Sequence, residues 1–440
     1  MTSLKRREFV KLTSASAIFT VFSFQNRKGA FISKNFRVLL YTGWNTKNIG
    51  DQGHTPGTLR FLEQHFPEAE ITVWIHSTNE EISTMLTNRF PKIRLIQGTI
   101  DEKGVADNVE LQKAFDTNDL IIHNSGMSYN SFWKSPSILE ACNYRKKLMI
   151  IFGQSFDGFN DVEREKISGL LSNVKAIYCR DNESYYYLRS IGVNSLIIEF
   201  GPDGCFGIDL HNREKAEKYM KEKDLEPKKF ITVIIRTNSS HIKAMYIPKK
   251  GDIIDKSQNP IEPTEEDIQQ NDLWAKKLRE VIIYWVKKTG FKVLLAPEVE
   301  KEIFYAKELL FNKLPEDIKP FVVHKGEWWN MDEACSVYKH SHTLISMEPH
   351  SCIMALANKT PIIHYFTKRH GKKAWMFRDI GLPEWLYNID DDSSESVTSA
   401  LDSIYKDYER AVSKVNRAMS FVESRSKEMI SDIKKFVKTA

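Results

Sequence analysis

A histidine in a polar loop is the residue in this chain best suited to acid–base chemistry. The stretch 344–365 predicts a short strand, a polar loop over 347–351 that contains His350, a short helix over 353–357, and a second strand. In an open α/β sheet, ligands bind at the loops leaving the carboxyl ends of strands, and a helix N-terminus attracts anions. An imidazole titrates near neutral pH. The pattern predicts a catalytic His350, with a loop histidine hydrogen-bonded to the backbone as the alternative.

Cationic side chains at two predicted strand ends could recognise an anion. Arg236 follows the predicted strand 230–235, and a guanidinium offers planar paired donors that suit carboxylate or phosphate. The basic run 368–373 follows the last strand of the same predicted sheet, and its Arg369 and Lys372 could close over a phosphate. An exposed strand-end arginine and a solvated basic loop are the respective alternatives.

Length and composition predict two domains and exclude several classes of protein. A chain of 440 residues exceeds one ordinary domain, and its net charge of +5 is mild. The chain has no dense basic block with interleaved aromatic residues, so its composition does not indicate nucleic-acid binding. The five cysteines are scattered without a CxxC pair, so neither a zinc site nor a disulfide framework is predicted. His340 and His342 are interpreted as surface polar residues, and we expect no metal.

The first thirty residues resemble an export signal. Arg6 and Arg7 precede Phe9, Val10 and Lys11, and this pattern resembles the twin-arginine signal of bacteria. The apolar run that follows has about 13 residues, short of the ~20 that a membrane-spanning helix needs. We therefore expect a periplasmic or exported protein with possible membrane association through this segment. A basic amphipathic extension at the cytoplasmic face of the membrane is the alternative.

The rest of the chain predicts an α/β fold with two Rossmann-like, doubly wound domains that face a cleft. Short apolar strands alternate with helices over 36–210 and again over 230–388, which is typical of parallel sheets. Residues 211–229 are predicted to be a helix and linker, and 249–270 an inserted surface loop. The polar stretch 42–57 is predicted as a loop before a helix that starts at Thr58. Helices over 389–440 should pack on the outside.

Several motifs, taken in order, resemble the polysaccharide pyruvyl transferase family, whose members are similar to GT-B glycosyltransferases in fold. The resemblance spans about residues 36–385. The motifs are Asn48-Ile-Gly-Asp51, Phe152-Gly-Gln-Ser155, Cys179-Arg-Asp-Asn-Glu-Ser184, Pro202-Asp203-x-x-Phe206, and His350-Ser351 followed by Thr360-Pro361.

The resemblance implies transfer of a pyruvyl group from phosphoenolpyruvate to two hydroxyls of a glycan, giving a cyclic ketal without a further cofactor. Partners would be phosphoenolpyruvate and a glycan acceptor. His350 would be catalytic, and Asp51 could position or deprotonate a sugar hydroxyl, with a helix N-cap as its alternative. Gly50 would let a ligand approach closely. The expected substrate-binding residues are Arg236, Asn48, Gly50, Gln154, Arg180, Ser351, Arg369 and Lys372.

Glu348 and Arg180 favour other interpretations. Glu348 stands where the family has an arginine expected to hold the donor's anionic end, and like charges in contact repel by about 1–4 kcal/mol. Arg369 or Lys372 could replace that arginine. Arg180 with Asp181 could instead be an ion pair that caps the next helix. The alternatives to pyruvyl transfer are a glycan-active enzyme with another donor and a non-catalytic glycan-binding protein.

Overall fold

The fold is known from a computed structural model that describes residues 36–43, 45–76, 78–130, 137–237, 264–368 and 371–439. The export-signal-like segment 1–30, most of the predicted loop 249–270, and Arg369 lie outside these ranges. Within them, no helix combines the length and the apolar character needed to cross a bilayer.

The first domain is built on a parallel sheet. Its strands are β1 (Arg37–Thr42), β2 (Glu70–Ile75), β3 (Arg94–Gln97), β4 (Leu120–His123), β5 (Gly126–Tyr129), β6 (Met149–Phe156), β7 (Ala176–Cys179) and β8 (Ile197–Phe200). Their order is β3-β2-β1-β4-β6-β7-β8, with β5 paired to β6. The helices are α1 (Ile49–His65), α2 (Glu80–Arg89), α3 (Val109–Thr117), α4 (Ser137–Tyr144), α5 (Asp161–Ser172) and α6 (Asn182–Ser190).

Helix α7 (Arg213–Glu222) leads into a second parallel sheet. Its strands are β9 (Phe230–Ile234), β10 (Lys292–Leu295), β11 (Val322–His324), β12 (Leu344–Ser346), β13 (Ile362–Phe366) and β14 (Leu386–Asn388), in the order β11-β10-β9-β12-β13-β14. The helices are α8 (Glu265–Thr289), α9 (Glu302–Tyr305), α10 (Met331–Tyr338), α11 (Pro349–Ala357) and α12 (Gly371–Asp379). The prediction of two parallel, doubly wound α/β domains is confirmed.

Two C-terminal helices, α13 (Ser394–Lys406) and α14 (Tyr408–Thr439), complete the fold. Val415 and Val422 of α14 join the apolar core of the second domain, whereas Met429 and Ile433 join a core of the first. Helix α14 thus packs against the cores of both domains. The apolar area that it buries on each domain stabilises the connection between them, because burial of apolar area is the main favourable term in folding.

Polar contacts between α6 and α12 also join the domains. The Arg378 guanidinium donates to both carboxylate oxygens of Glu183 at 2.7 Å. The Asn182 backbone N–H donates to Asp379 at 2.9 Å. A bidentate arginine–carboxylate pair fixes orientation as well as distance, so these contacts help set the spacing of the two sheets.

Four sequence-based predictions about local structure were wrong. Helix α8 begins at Glu265, inside the predicted loop 249–270, because the Thr264 side chain caps it. Helix α1 begins at Ile49 rather than Thr58, because the Asn48 side chain accepts from the Gly50 and Asp51 N–H groups and caps it. Helix α11 begins at Pro349, a residue well suited to a first helical turn. His342 is buried against Trp285 and Tyr408 rather than lying at the surface.

Candidate active site

Two histidine–carboxylate pairs meet where the domains face each other. His54 of α1 places Nδ1 2.8 Å from Asp203 Oδ1. His350 of α11 places Nδ1 3.2 Å from Glu298 Oε1. The two imidazole rings lie edge to face, with centroids 4.7 Å apart. All four side chains are buried, so the site brings two proton-handling groups from different domains within reach of one small ligand.

Arg180 holds the first pair in place. Its guanidinium donates to Asp203 Oδ2 at 2.7 Å and to Ser155 Oγ at 2.8 Å, and both charged side chains are buried. Burial alone would raise the pKa of Asp203, but His54 and Arg180 bring that pKa well below its usual range. Asp203 therefore stays ionised, and we assign the His54 proton to Nδ1, which leaves Nε2 as a base.

In the second pair the carboxyl group keeps its proton, in contrast to the ionised Asp203 of the first pair. Burial, followed by the nearby Glu348, raises the pKa of Glu298 to about 8. Burial, followed by His54, lowers the pKa of His350 to about 3. Glu298 Oε2 accepts from the Ser351 N–H at 2.6 Å, so we assign the carboxyl proton to Oε1, which donates to His350 Nδ1. His350 then presents an Nε2–H group that has no partner within the described structure.

Gly50 makes room for the second pair rather than for a ligand. A Cβ atom at Gly50 would lie 2.4 Å from His350 Nδ1 and 2.7 Å from Glu298 Oε1. The prediction that this glycine admits a ligand is therefore replaced by a packing explanation. Its neighbour Asp51 is half-buried, and burial raises the pKa of Asp51, while His350, His54 and Lys373 act in the opposite direction. Asp51 thus lies near both histidines.

Replacing Gly50 with alanine should disrupt this site. The added methyl group would displace the His350–Glu298 pair, and such overpacking typically costs about 1–3 kcal/mol. We expect at least a tenfold loss of turnover and a lower urea midpoint. Gly169→Ala in α5 is the matched control, because a Cβ there meets nothing within 4 Å. If Gly50→Ala behaved like Gly169→Ala, the close packing of α1 on His350 would be refuted.

The second pair also predicts how stability depends on pH. The unfolded chain protonates His350 near 6.5, but the folded chain only near 3, so His350 makes stability fall as the pH drops from 6.5 to 3. Folded Glu298 keeps its proton up to about pH 8, whereas the unfolded carboxyl loses it near 4.5, so Glu298 makes stability fall as the pH rises from 4.5 to 8. The two contributions offset each other between pH 4.5 and 6.5.

Urea unfolding over a pH series tests this. The difference in unfolding free energy between the wild type and the His350→Asn/Glu298→Gln double variant should be flat between pH 4.5 and 6.5 and decline on both sides. A difference that does not vary with pH would contradict the protonation states assigned to the pair.

Arg236 and Glu348 form an ion pair beside His350. The Arg236 guanidinium donates to both oxygens of Glu348, and the carboxylate is buried. Lys373 of α12 lies near them, and burial, followed by Arg236, lowers the pKa of Lys373 to about 8. Glu348 and Asp51 oppose that shift. The cations expected at an anion site are therefore present, but one of them is already paired with a carboxylate.

The other predicted substrate-binding residues make contacts within the protein. Asn48 caps α1. The Ser351 hydroxyl lies 3.3 Å from the Tyr338 hydroxyl. Gln154 donates to the Asn124 carbonyl and accepts from the Ser128 N–H at 2.9 Å. Lys372 pairs with Asp157 across the domain interface. Asp181 caps α6 as expected, whereas the Arg180 guanidinium donates to Asp203.

Sequence reasoning missed four residues of this site, which are His54, Glu298, Lys373 and, as a charged partner, Asp203. His54 follows Asp51 by three residues, so helical spacing would have placed both on one face of α1. Glu298 follows the carboxyl end of β10, a position where ligand-binding residues are common. Asp203 was noted only as part of a family-like motif, and it also accepts from the Cys205 N–H at 2.8 Å.

His54, Asp203 and His350 also place one possible ligand atom each within 4.8 Å, a spacing that a metal ion could use. However, both Asp203 oxygens already accept hydrogen bonds, one from His54 and one from the Arg180 cation. A second cation there would meet the guanidinium charge. The arrangement is better explained by proton transfer than by metal binding.

The family model described as polysaccharide pyruvyl transferase matches residues 48–365. The chain belongs to this family. The match covers His54, Asp203, Glu298 and His350, and family membership indicates a glycan-modifying transferase. No curated protein matches the chain.

Solved structures with the same fold include a glycosyltransferase, a protein in complex with UDP and glucose, and a UDP-GlcNAc 2-epimerase. A glycosyltransferase from Rickettsia africae is 12% identical, with a TM-score of 0.55 over 92% of this chain and 99% of that one. Anabaena HepE in complex with UDP and glucose is 10% identical, with a TM-score of 0.54 over 92% and 100%. The UDP-GlcNAc 2-epimerase from Neisseria meningitidis is 12% identical, with a TM-score of 0.53 over 91% and 100%. These likenesses establish that this polysaccharide pyruvyl transferase family member has the GT-B-like fold.

Proposed function

We propose that this chain transfers a pyruvyl group from phosphoenolpyruvate to two hydroxyls of a glycan, releasing phosphate and forming a cyclic ketal. The observation that carries the proposal is the meeting of two histidine–carboxylate pairs with opposite protonation. Environments that push the pKa values of paired groups apart supply an acid and a base at one pH. The reaction needs both, and family membership supports the donor and the acceptor class.

The proton transfers balance in the following way. His350 Nε2–H protonates the methylene carbon of the donor, and Glu298 passes its proton to His350 Nδ1, while carbon 2 becomes an oxocarbenium. The first sugar hydroxyl attacks carbon 2 and loses its proton to His54 Nε2. Transfer of that proton from His54 restores the protonated His350–Glu298 pair. The bond between carbon 2 and the phosphate oxygen then breaks, and the second hydroxyl attacks carbon 2. The proton of this hydroxyl leaves with phosphate. Asp51 positions the hydroxyls.

The donor's negative charges would be held by Lys373 and Arg236, with Glu348 as a competitor for the guanidinium. Replacing Glu348 with glutamine should therefore improve donor binding. Removing one repulsive charge at contact is worth at least about 1 kcal/mol, which corresponds to a fivefold lower KM for phosphoenolpyruvate. Phosphate release with a panel of glycans from which ketals have been removed by mild acid provides the measurement.

Glu300→Gln is the control for that variant, since Glu300 pairs with Lys47 at the protein surface. It should leave KM unchanged. A KM that stays the same or rises in Glu348→Gln would mean that no anionic group of the donor approaches Arg236.

The second candidate is a glycan-active enzyme with another donor, or a glycan-binding protein. The Arg236–Glu348 pair favours it, because the pair reduces the positive charge available to an anion. Export, which we propose from the twin-arginine-like segment, would also separate the protein from cytosolic phosphoenolpyruvate. Fusing residues 1–30 to an export reporter tests the location. Export of the reporter together with no phosphate release would favour this candidate.

A further inference from the structure

A group of buried polar atoms with few hydrogen-bond partners lies next to the Arg236–Glu348 ion pair. They are Arg236 Nε, Thr237 Oγ1, Glu302 Oε1 and the Tyr305 hydroxyl. In the part of the chain that the structure describes, Arg236 Nε and Glu302 Oε1 have no partner, and the Thr237 and Tyr305 hydroxyls have only each other. Thr237, Glu302 and Tyr305 are each less than 5% exposed. Leaving such an atom unpaired costs about 1–3 kcal/mol, and native proteins rarely do so without a reason.

These four residues form one continuous cluster, here called the Thr237 cluster. Arg236 and Thr237 follow the carboxyl end of β9, and Glu302 and Tyr305 lie one turn apart on α9. Thr237 lies beside the Tyr305 hydroxyl, and Glu302 interacts electrostatically with Arg236. The second oxygen of Glu302 accepts from the Glu298 N–H at 2.8 Å, which connects the cluster to the hydrogen-bond partner of His350.

The cluster reaches the surface of the domain through two cations. The Arg236 side chain is 21% exposed, and Lys301, which precedes Glu302, is half-buried. Both cations interact electrostatically with Glu302, and Arg236 follows the carboxyl end of a parallel strand, where ligands commonly bind. A ligand group could therefore reach the atoms by moving these two flexible side chains.

The chemistry of the cluster favours a neutral, hydroxyl-rich ligand. Arg236 Nε–H donates, the Thr237 and Tyr305 hydroxyls donate or accept, and Glu302 offers a carboxyl oxygen. The Glu348 carboxylate, which already accepts from Arg236, would oppose the binding of an anion. The hydroxyls of a sugar ring match this mixture, since each can donate and accept.

We propose that the Thr237 cluster binds the hydroxyls of a neutral sugar ring and forms a glycan subsite next to His350. This inference rests on the proposed function only in taking a glycan as the acceptor. The subsite would hold a sugar on the second domain, within reach of the two histidines. Binding to it requires no donor and no turnover.

Saturation-transfer NMR with methyl hexosides and the full-length protein tests the subsite. Thr237→Val and Tyr305→Phe each remove one hydroxyl and keep the shape of the side chain, so each should weaken hexoside binding about 3- to 10-fold. Tyr219→Phe is the matched control, because it removes a buried tyrosine hydroxyl that lies on α7 and is not part of the cluster. It should bind like the wild type.

The proposal is overturned if no hexoside binds, if both test variants bind like Tyr219→Phe, or if inorganic phosphate displaces the hexosides competitively. Hexoside binding that depends on Thr237 and Tyr305 supports the subsite even where phosphoenolpyruvate gives no phosphate release. That last result would reject pyruvyl transfer alone, so the two proposals fail separately.

Discussion

His350→Asn is expected to lower turnover by about 10²- to 10⁴-fold, the usual contribution of a positioned acid or base. The asparagine amide oxygen can accept the hydrogen bond that Glu298 Oε1 donates to His350 Nδ1, so the fold should persist. It offers no titratable group where Nε2–H now lies without a partner. Steady-state kinetics of phosphate release, together with a urea unfolding curve, separate the loss of chemistry from a loss of structure.

His123→Asn is the matched control for this variant. His123 is also a buried histidine whose pKa is lowered to about 3 by burial, and its Nδ1 lies 2.7 Å from the Tyr129 hydroxyl in the first sheet. We expect it to retain most of the activity of the folded protein. If His350→Asn kept more than about a tenth of wild-type turnover, the acid would have to be another group.

Arg180→Met is expected to destabilise the protein by about 3–5 kcal/mol, because it leaves the Asp203 carboxylate buried and without its guanidinium partner. Activity should fall as well, since Asp203 orients His54. Equilibrium unfolding in urea gives the first effect, and phosphate release gives the second.

Arg145→Met tests the same substitution at an exposed ion pair. Arg145 lies 2.9 Å from Asp116 with both side chains more than a third exposed, so its loss should cost no more than about 1 kcal/mol. Adding Asp203→Asn to Arg180→Met should restore part of the lost stability by removing the uncompensated charge. Equal costs for Arg180→Met and Arg145→Met would show that the Arg180–Asp203 pair is not buried as described.

The sequence was sufficient to predict the convergence of His350, Arg236 and Glu348. Each follows a strand of the second sheet, and the carboxyl ends of parallel strands meet at one edge. The alternation of short apolar strands with helices was likewise sufficient for the two-domain α/β fold, because it is a local pattern.

Helix α1 could not be predicted, because its composition opposes its structure. Gly53, Pro56 and Gly57 all disfavour a helix by local propensity. Tertiary packing explains them in part: a Cβ at Gly57 would lie 1.9 Å from the Gly204 carbonyl oxygen. The glycine is thus present for close approach of α1 to another segment, which only the folded chain reveals.

The two histidine–carboxylate pairs could not be predicted from the sequence for a different reason. His54 and Asp203 are 149 residues apart, and His350 and Glu298 are 52 apart. Their ionisation states depend on burial and on neighbours from both domains. With α1 predicted as a loop, His54 had no assigned position from which a partner could be inferred.

Phosphoenolpyruvate labelled with carbon-13 at its second carbon provides the most direct test of pyruvyl transfer. The folded wild-type protein, incubated with this donor and ketal-free glycans, should yield a glycan-bound ketal carbon and one phosphate for each label incorporated. His350→Asn should give neither. Wild-type protein that binds a glycan but never incorporates the label or releases phosphate would contradict the proposed reaction.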